Sequence, residues 1–114
     1  MTATIKRGDI FWVDWDSSRG SEQSGHRPAL IIQNDTGNRT SPTTIVAAIT
    51  TAVNREYPFL VNITTAESGL PRDSTVNLSA ILTIDQTRLD DKCGSLSQAR
   101  MHEVDEAIRV SLGL

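Results

Sequence analysis

Residues 10–15 read IFWVDW, and in this stretch Phe11, Val13 and Trp15 occupy every second position. An apolar period of two residues is typical of a strand with one face turned toward a core. Aromatic and β-branched residues, which fill the stretch, also favour strands. We therefore predict a β-strand from Ile10 to Trp15 and a fold that is built on a sheet.

Other stretches also have strand character. Residues 29–33 (ALIIQ) and 44–50 (TIVAAIT) are nearly continuous apolar runs, as expected for central strands that are buried on both faces. Residues 57–63 and 74–78 are predicted as further strands, whereas residues 80–84 fit either a strand or a helical turn.

Two long loops remain, at residues 16–27 and 34–43. Loops of this length in a compact domain are usually either functional or disordered. The first is rich in Ser and Gly and ends on a charged residue just before a buried strand. We therefore expect functional residues in this first loop.

The last 18 residues change to a helical period, with apolar residues spaced by 3, 4 and 4 at Met101, Val104, Ile108 and Leu112. This spacing predicts an amphipathic helix. Ser97 is its expected N-cap, Leu96 packs on Met101 as a hydrophobic staple, and Gly113 ends it. Several short strands and a terminal helix predict a mainly β fold with a C-terminal α-helix, namely a small, strongly curved antiparallel sheet or barrel.

Composition sets the boundaries of this interpretation. A chain of 114 residues, 38% hydrophobic and 22% charged, fits one domain over residues 1–114. The longest apolar run, residues 45–49, is far shorter than the roughly 20 residues that span a bilayer. The N-terminus has no apolar signal core, so we expect a cytoplasmic protein without a membrane partner.

The net charge of −3 argues against a dedicated double-helix binder, which usually has a basic excess.

Few residues suggest chemistry by their type and spacing. The two histidines, His26 and His102, are too far apart to suggest a zinc site. The single Cys93 lacks a positioned base, so we expect it to be structural or incidental. Arg27 stands at the mouth of a predicted central strand, where a guanidinium fits a phosphate. An ion pair with Glu22 or Asp35 is the ordinary alternative for this side chain.

Five sequence words in order resemble the MazF/PemK family of toxin endoribonucleases. They are GSEQSGHRP (20–28), IIQNDTGNRTSPTTIVAAITT (31–51), YPF (57–59), GLPRDSTV (69–76) and VDEAIRVSLGL (104–114). The resemblance runs from Lys6 to Leu114. It implies a small SH3-like barrel of the CcdB/PemK toxin type and a symmetric homodimer. The implied partners are single-stranded RNA, a MazE-like antitoxin and, only through the antitoxin complex, operator DNA.

The resemblance also implies a reaction and its residues. The family cuts RNA without metal or other cofactor by attack of a ribose 2′-OH, leaving a 2′,3′-cyclic phosphate and a 5′-OH. The catalytic arginine and threonine of the family fall on Arg27 and Thr50, and the loop glutamate falls on Glu22. A guanidinium keeps its proton at neutral pH, so Glu22 or His26 is the easier proton acceptor, and we favour Glu22. Expected substrate contacts are Ser21, Gln23, His26 and Trp15, the last as a stacking surface.

The chain departs from its relatives at residues 79–82, where SAIL replaces Glu-Gln-Ile-Arg or Asp-Gln-Ile-Arg. Because Ala80 and Leu82 cannot bond a base edge, we expect an altered or shorter recognition sequence. Two other functions remain open on the same fold: a CcdB-like gyrase poison and a catalytically silent, antitoxin-binding corepressor. The first is disfavoured because the chain ends in LGL rather than in a Trp-Gly-Ile tail.

Overall fold

The structure, a computed structural model, describes residues 4–15, 25–53 and 55–114. Its strands form one sheet in the order β4-β5-β3-β2-β1-β6, and the paired neighbours run antiparallel. The strands are β1 (Asp9–Asp14), β2 (His26–Ile31), β3 (Thr43–Thr51), β4 (Leu60–Ile63), β5 (Ser74–Asp85) and β6 (Leu89–Ser95). The helices are α1 (Asp35–Thr40), α2 (Thr65–Ser68) and α3 (Gln98–Leu112), and a 3₁₀ turn covers Gln86–Arg88.

This architecture confirms the predicted mainly β fold with a C-terminal helix. The two apolar runs form β2 and β3, which lie at the centre of the sheet. The ambiguous residues 80–84 continue β5, which bulges where Ala47 pairs with Ile81 and Ala48 pairs with Asn77. None of the described helices has both the length and the apolar character needed to cross a membrane.

Several elements differ from the sequence prediction. Helix α2 was not predicted, and the strand predicted over residues 57–63 begins only at Leu60. Helix α1 occupies part of the predicted loop 34–43; it is capped by Asn34, whose Oδ1 accepts from the Gly37 amide at 2.7 Å. Buried Asn38 fixes this helix by accepting from the Thr44 hydroxyl at 2.7 Å and from Gln33 Nε2 at 3.0 Å. Strand β6 has the polar sequence LDDKCGS and forms by pairing with β1.

Side-chain alternation gives the sheet a core on each face. One core lies beneath α3 and includes Ile10, Leu30, Ala47 and Val76. The other lies on the opposite face and includes Phe11, Val13, Ala29, Ile31 and Val46. Neighbouring residues of β2 therefore point to different cores, and this alternation decides where each candidate site residue points.

Helix α3 is confirmed with the predicted caps. The Ser97 hydroxyl accepts from the Arg100 amide at 3.1 Å, and Gly113 ends the helix in the left-handed region at φ +72°. Met101, Val104 and Ala107 are buried, and Leu96 belongs to the same core as Met101. The apolar stripe is shorter than predicted, because Leu112 is 58% exposed. The last helical turn extends beyond the core contacts, which end at the partly buried Ile108.

The two ends of the sheet approach each other without pairing, so the barrel stays open. Helix α2 follows β4 and packs on β6, the strand at the other end of the sheet. A Cβ atom on Gly94 would lie 2.6 Å from the Ser68 carbonyl oxygen, and one on Gly69 would overlap the Cys93 carbonyl oxygen. Gly69 also has a φ of +79°, which favours glycine. We call this close approach the α2–β6 seam.

An ion pair fastens α2 to α3. Arg100 Nε lies 2.9 Å from Glu67 Oε1, and the same glutamate completes a capping box with Thr64 at the start of α2. The hydrogen bond from the Arg100 guanidinium lowers the pKa of Glu67. The pair therefore stabilises the fold while this carboxyl is ionised and loses that contribution as acid protonates it.

Candidate active site

Arg27 and Thr50 come from neighbouring central strands. Ala29 of β2 pairs with Ala48 of β3. Two residues farther along each strand, toward the same end of the sheet, lie Arg27 on β2 and Thr50 on β3. Residues opposite each other in an antiparallel pair share a face, so both side chains lie on the sheet face that carries the second core. Both residues are exposed. The structure thus brings the two expected catalytic residues to one place.

A cleft opens beside Thr50, with a volume of about 410 Å³. This size falls in the range of small-molecule sites, about 300–1,000 Å³. Tyr57 and Phe59 form a parallel pair in its wall, with ring centroids 5.3 Å apart and ring planes 4° apart. The rest of the lining is mixed and comprises Thr50, Val53, Arg55, Leu60, Thr75 and Asn77.

Buried hydrogen bonds hold the wall of this cleft. Thr75, which pairs with Thr50 across the sheet, is fully buried. Its hydroxyl donates to Asn62 Oδ1 at 2.8 Å and accepts from the Val53 amide at 3.3 Å. The second bond ties down the chain where it leaves β3. The site is therefore built on rigid sheet at Thr50 and on a fastened segment just after it.

His26 lies on the other face of the sheet. It precedes Arg27 on β2, and consecutive strand residues point to opposite faces. Its ring stacks on Trp12 at a centroid distance of 5.4 Å, and its Nε2 lies 2.8 Å from Asp90 Oδ2. The structure therefore does not bring His26 to the Arg27–Thr50 pair, contrary to its expected place among the substrate contacts.

The expectation for Trp15 also needs correction. Its side chain is 6% exposed and packs in the second core with Phe11 and Val13. An indole buried to this extent offers no free face for a base to stack on. The only polar atom of the ring, Nε1, has no hydrogen-bond partner within the described ranges. The partly exposed tryptophan at this end of the sheet is Trp12, which already stacks on His26.

The remaining expected contacts, Glu22, Ser21 and Gln23, lie outside the described residues. Sequence reasoning missed the cleft residues Tyr57, Phe59 and Asn77 as a group. The sequence signal for these residues was the aromatic stretch YPF at 57–59. Its proximity to Asn77 follows only from the pairing of β4 with β5, which places Leu60 opposite Asn77.

Other reactive groups are weaker candidates. Burial raises the pKa of the Cys93 thiol, and the nearby Asp91 charge raises it further. A protonated thiol is a poor nucleophile, so this shift argues against a catalytic role for Cys93. Within residues 4–15, 25–53 and 55–114, no group of three or more His, Cys, Asp or Glu side chains is placed to hold a metal ion.

Comparison with known proteins gives the family. Residues 6–112 match the family described as PemK-like, MazF-like toxin of type II toxin-antitoxin system. The chain is 49% identical over 111 residues to Endoribonuclease MazF of Staphylococcus epidermidis, covering 96% of this chain and 92% of that protein. It is also 49% identical over 111 residues to Endoribonuclease EndoA of Bacillus subtilis, covering 96% of each.

Solved structures agree with this assignment. An endoribonuclease in complex with its cognate antitoxin, from a mycobacterial species, superposes with a TM-score of 0.80 at 25% identity, covering 96% of each chain. The match therefore extends over nearly the whole fold described above. Together with the two close relatives, it shows that this chain belongs to the PemK-like, MazF-like toxin family of type II toxin-antitoxin systems.

Proposed function

We propose that this protein is the toxin of a type II toxin-antitoxin system and acts as a sequence-specific endoribonuclease on single-stranded RNA. The observation that carries the proposal is the placement of Arg27 and Thr50 on one face of adjacent strands, beside an aromatic cleft. A guanidinium and a hydroxyl suit a phosphodiester, and aromatic surfaces suit unstacked bases. The close relatives are named as endoribonucleases.

In the proposed reaction, the ribose 2′-OH attacks the adjacent phosphorus. The bond from phosphorus to the 5′ oxygen breaks, which leaves a 2′,3′-cyclic phosphate on one product and a 5′-OH on the other. Arg27 donates two hydrogen bonds to the non-bridging oxygens, where negative charge develops, and Thr50 donates a third. One proton leaves the 2′-OH and another joins the departing 5′ oxygen. The scheme uses no metal ion and no cofactor.

Glu22 is the proposed proton acceptor. A guanidinium holds its proton too tightly for this role at neutral pH. His26 faces the other side of the sheet and bonds Asp90. Glu22 lies five residues before Arg27 in the sequence, and a glutamate carboxylate is ordinarily ionised at neutral pH, so it is available as a general base.

Glu22→Gln is expected to slow cleavage by about 100-fold and to remove the acid limb of the pH–rate profile, because the amide cannot accept the proton. The measurement is the single-turnover rate on a short RNA over a range of pH. Glu106→Gln, on an exposed position of α3, is the matched control and should behave like the parent. Full turnover by Glu22→Gln across the pH range would assign the proton transfer to another group.

The partners follow from the same proposal. We expect a homodimer that is inhibited by a cognate antitoxin. The structurally similar mycobacterial endoribonuclease was solved in complex with its cognate antitoxin. Contact with operator DNA is expected only through the antitoxin complex. The whole of residues 1–114 acts as one toxin domain in the cytoplasm, where its RNA substrate is found.

Incubation of the purified protein with a long unstructured RNA in EDTA tests the function. The expected products are fragments with 2′,3′-cyclic phosphate and 5′-OH ends, cut at a recurring sequence that primer extension will map. RNA left intact together with inhibited DNA gyrase would indicate a gyrase poison instead. RNA left intact with antitoxin binding retained would indicate a silent corepressor.

A further inference from the structure

Asn77 presents a fixed hydrogen-bond donor at the cleft. It lies two residues after Thr75 on β5 and therefore faces the same side of the sheet as Thr50. Its Oδ1 accepts two hydrogen bonds from Ser79, from the amide at 2.9 Å and from the hydroxyl at 2.6 Å. A backbone N–H can only donate, so the amide cannot turn around without losing that bond. The Nδ2 group is thus the atom left to meet a ligand.

The cleft combines the features that hold an unstacked nucleobase. The parallel rings of Tyr57 and Phe59 offer a flat apolar surface, and Tyr57 is 45% exposed. Arg55 stands beside the Tyr57 hydroxyl, with its Nη1 3.4 Å from that oxygen, and adds a positive charge to the lining of the cleft. Stacking on aromatic side chains with polar contacts to the base edge is the usual way of reading single-stranded RNA.

Thr50 relates the cleft to the scissile phosphate of the RNA. The same threonine lines the cleft and belongs to the pair assigned to the scissile phosphate. A base held against Tyr57 therefore belongs to a nucleotide directly beside the cut bond. Asn77 lines the same cleft, so its donor lies within the space that such a base would occupy.

We infer that Asn77 selects a base beside the scissile bond and that it favours uracil or guanine over cytosine or adenine. Uracil and guanine present a carbonyl oxygen where cytosine and adenine present an amine, and a fixed N–H donor bonds only the former. Ser79 acts as a positioning residue through its two bonds to Oδ1. The inference rests on the proposed nuclease function and names its specificity determinant.

Asn77→Asp is expected to reverse the preference at one position of the cleavage sequence. Aspartate retains an acceptor for both Ser79 bonds and replaces the donor with a second acceptor, which favours an amine. The readout is the ratio of kcat/KM for oligonucleotides that differ only at that position. The parent should favour the carbonyl-bearing base by about tenfold, the effect of one well-placed hydrogen bond. The variant should favour the amine-bearing base.

Ser79→Ala removes the hydroxyl bond and keeps the backbone one, so the amide is held less firmly. We expect the ratio of the kcat/KM values for the two bases to fall toward unity, mainly through a lower kcat/KM for the carbonyl-bearing substrate. A purely structural role of Ser79 would lower activity on all substrates alike. This variant keeps the test decisive even where Asn77→Asp fails to fold, which thermal unfolding will show.

Asn34→Asp is the matched control, because it makes the same chemical change far from the cleft at the N-cap of α1, where aspartate caps equally well. Its base preferences should equal those of the parent.

Unchanged preferences in Asn77→Asp and Ser79→Ala, with cleavage intact, would overturn the inference and leave the nuclease function standing. The same result with weakened antitoxin binding would assign the cleft to the antitoxin. A parent that cuts no RNA would instead overturn the proposed function.

Discussion

Arg27→Lys and Thr50→Val are each expected to slow RNA cleavage by about 100-fold, because each removes preorganised hydrogen bonding to the phosphate oxygens in the transition state. Lysine keeps the positive charge and loses the planar fork that matches two phosphate oxygens. Valine keeps the shape of threonine and loses the hydroxyl. The measurement is the single-turnover rate at saturating RNA, which separates the chemical step from binding.

The chain offers matched controls for both changes. Thr51→Val alters the next residue of β3, which is also exposed and points to the opposite face. Arg39→Lys makes the arginine change on the exposed last turn of α1. Both controls should cleave at the parental rate. A double variant at Arg27 and Thr50 that cleaves like the parent would remove the basis of the proposed mechanism.

Gly69→Ala should destabilise the fold far more than Gly113→Ala. Both glycines have positive φ, +79° and +72°, so each substitution carries the left-handed penalty of about 1–2 kcal/mol. Only Gly69 also meets the Cys93 carbonyl, whereas no atom lies within 4 Å of a Cβ on Gly113. Forcing the α2–β6 seam apart adds about 1–3 kcal/mol.

Urea unfolding of the two variants measures this difference directly, as the free energy of unfolding relative to the parent. Gly113→Ala isolates the backbone penalty, so the excess loss in Gly69→Ala reports the seam alone. Equal losses in the two variants would mean that α2 and β6 separate without cost.

Periodicity predicted the elements whose residues carry their own pattern. Strands β2 and β3 and helix α3 are long apolar or amphipathic stretches, and their order in the sequence was sufficient to predict a sheet covered by a terminal helix. Strand β6 was not predicted, because its polar residues become a strand only by pairing with β1. Helix α1 was missed because its stability comes from tertiary hydrogen bonds of Asn38.

The candidate site was predictable only in part. The resemblance pointed to Arg27 and Thr50, whereas their shared face follows from the register of β2 with β3. Alternation along β1 already placed Trp15 with Phe11 and Val13 and so predicted its burial in a core. The same rule applied to β2 would have separated His26 from Arg27. The cleft at Asn77 was not predictable from the sequence. It depends on the pairing of β4 with β5 and on the β5 bulge, within which Ser79 bonds to the Asn77 side-chain amide.

The alternation of His26 and Arg27 on β2 links folding fidelity to catalysis. A slip of this strand by one residue would exchange the two faces, turning an imidazole toward the scissile phosphate and the guanidinium away from it. Ala29 and Ile31, which are fully buried in the second core, oppose such a slip. The buried apolar residues of β2 therefore decide which of these two side chains faces the substrate.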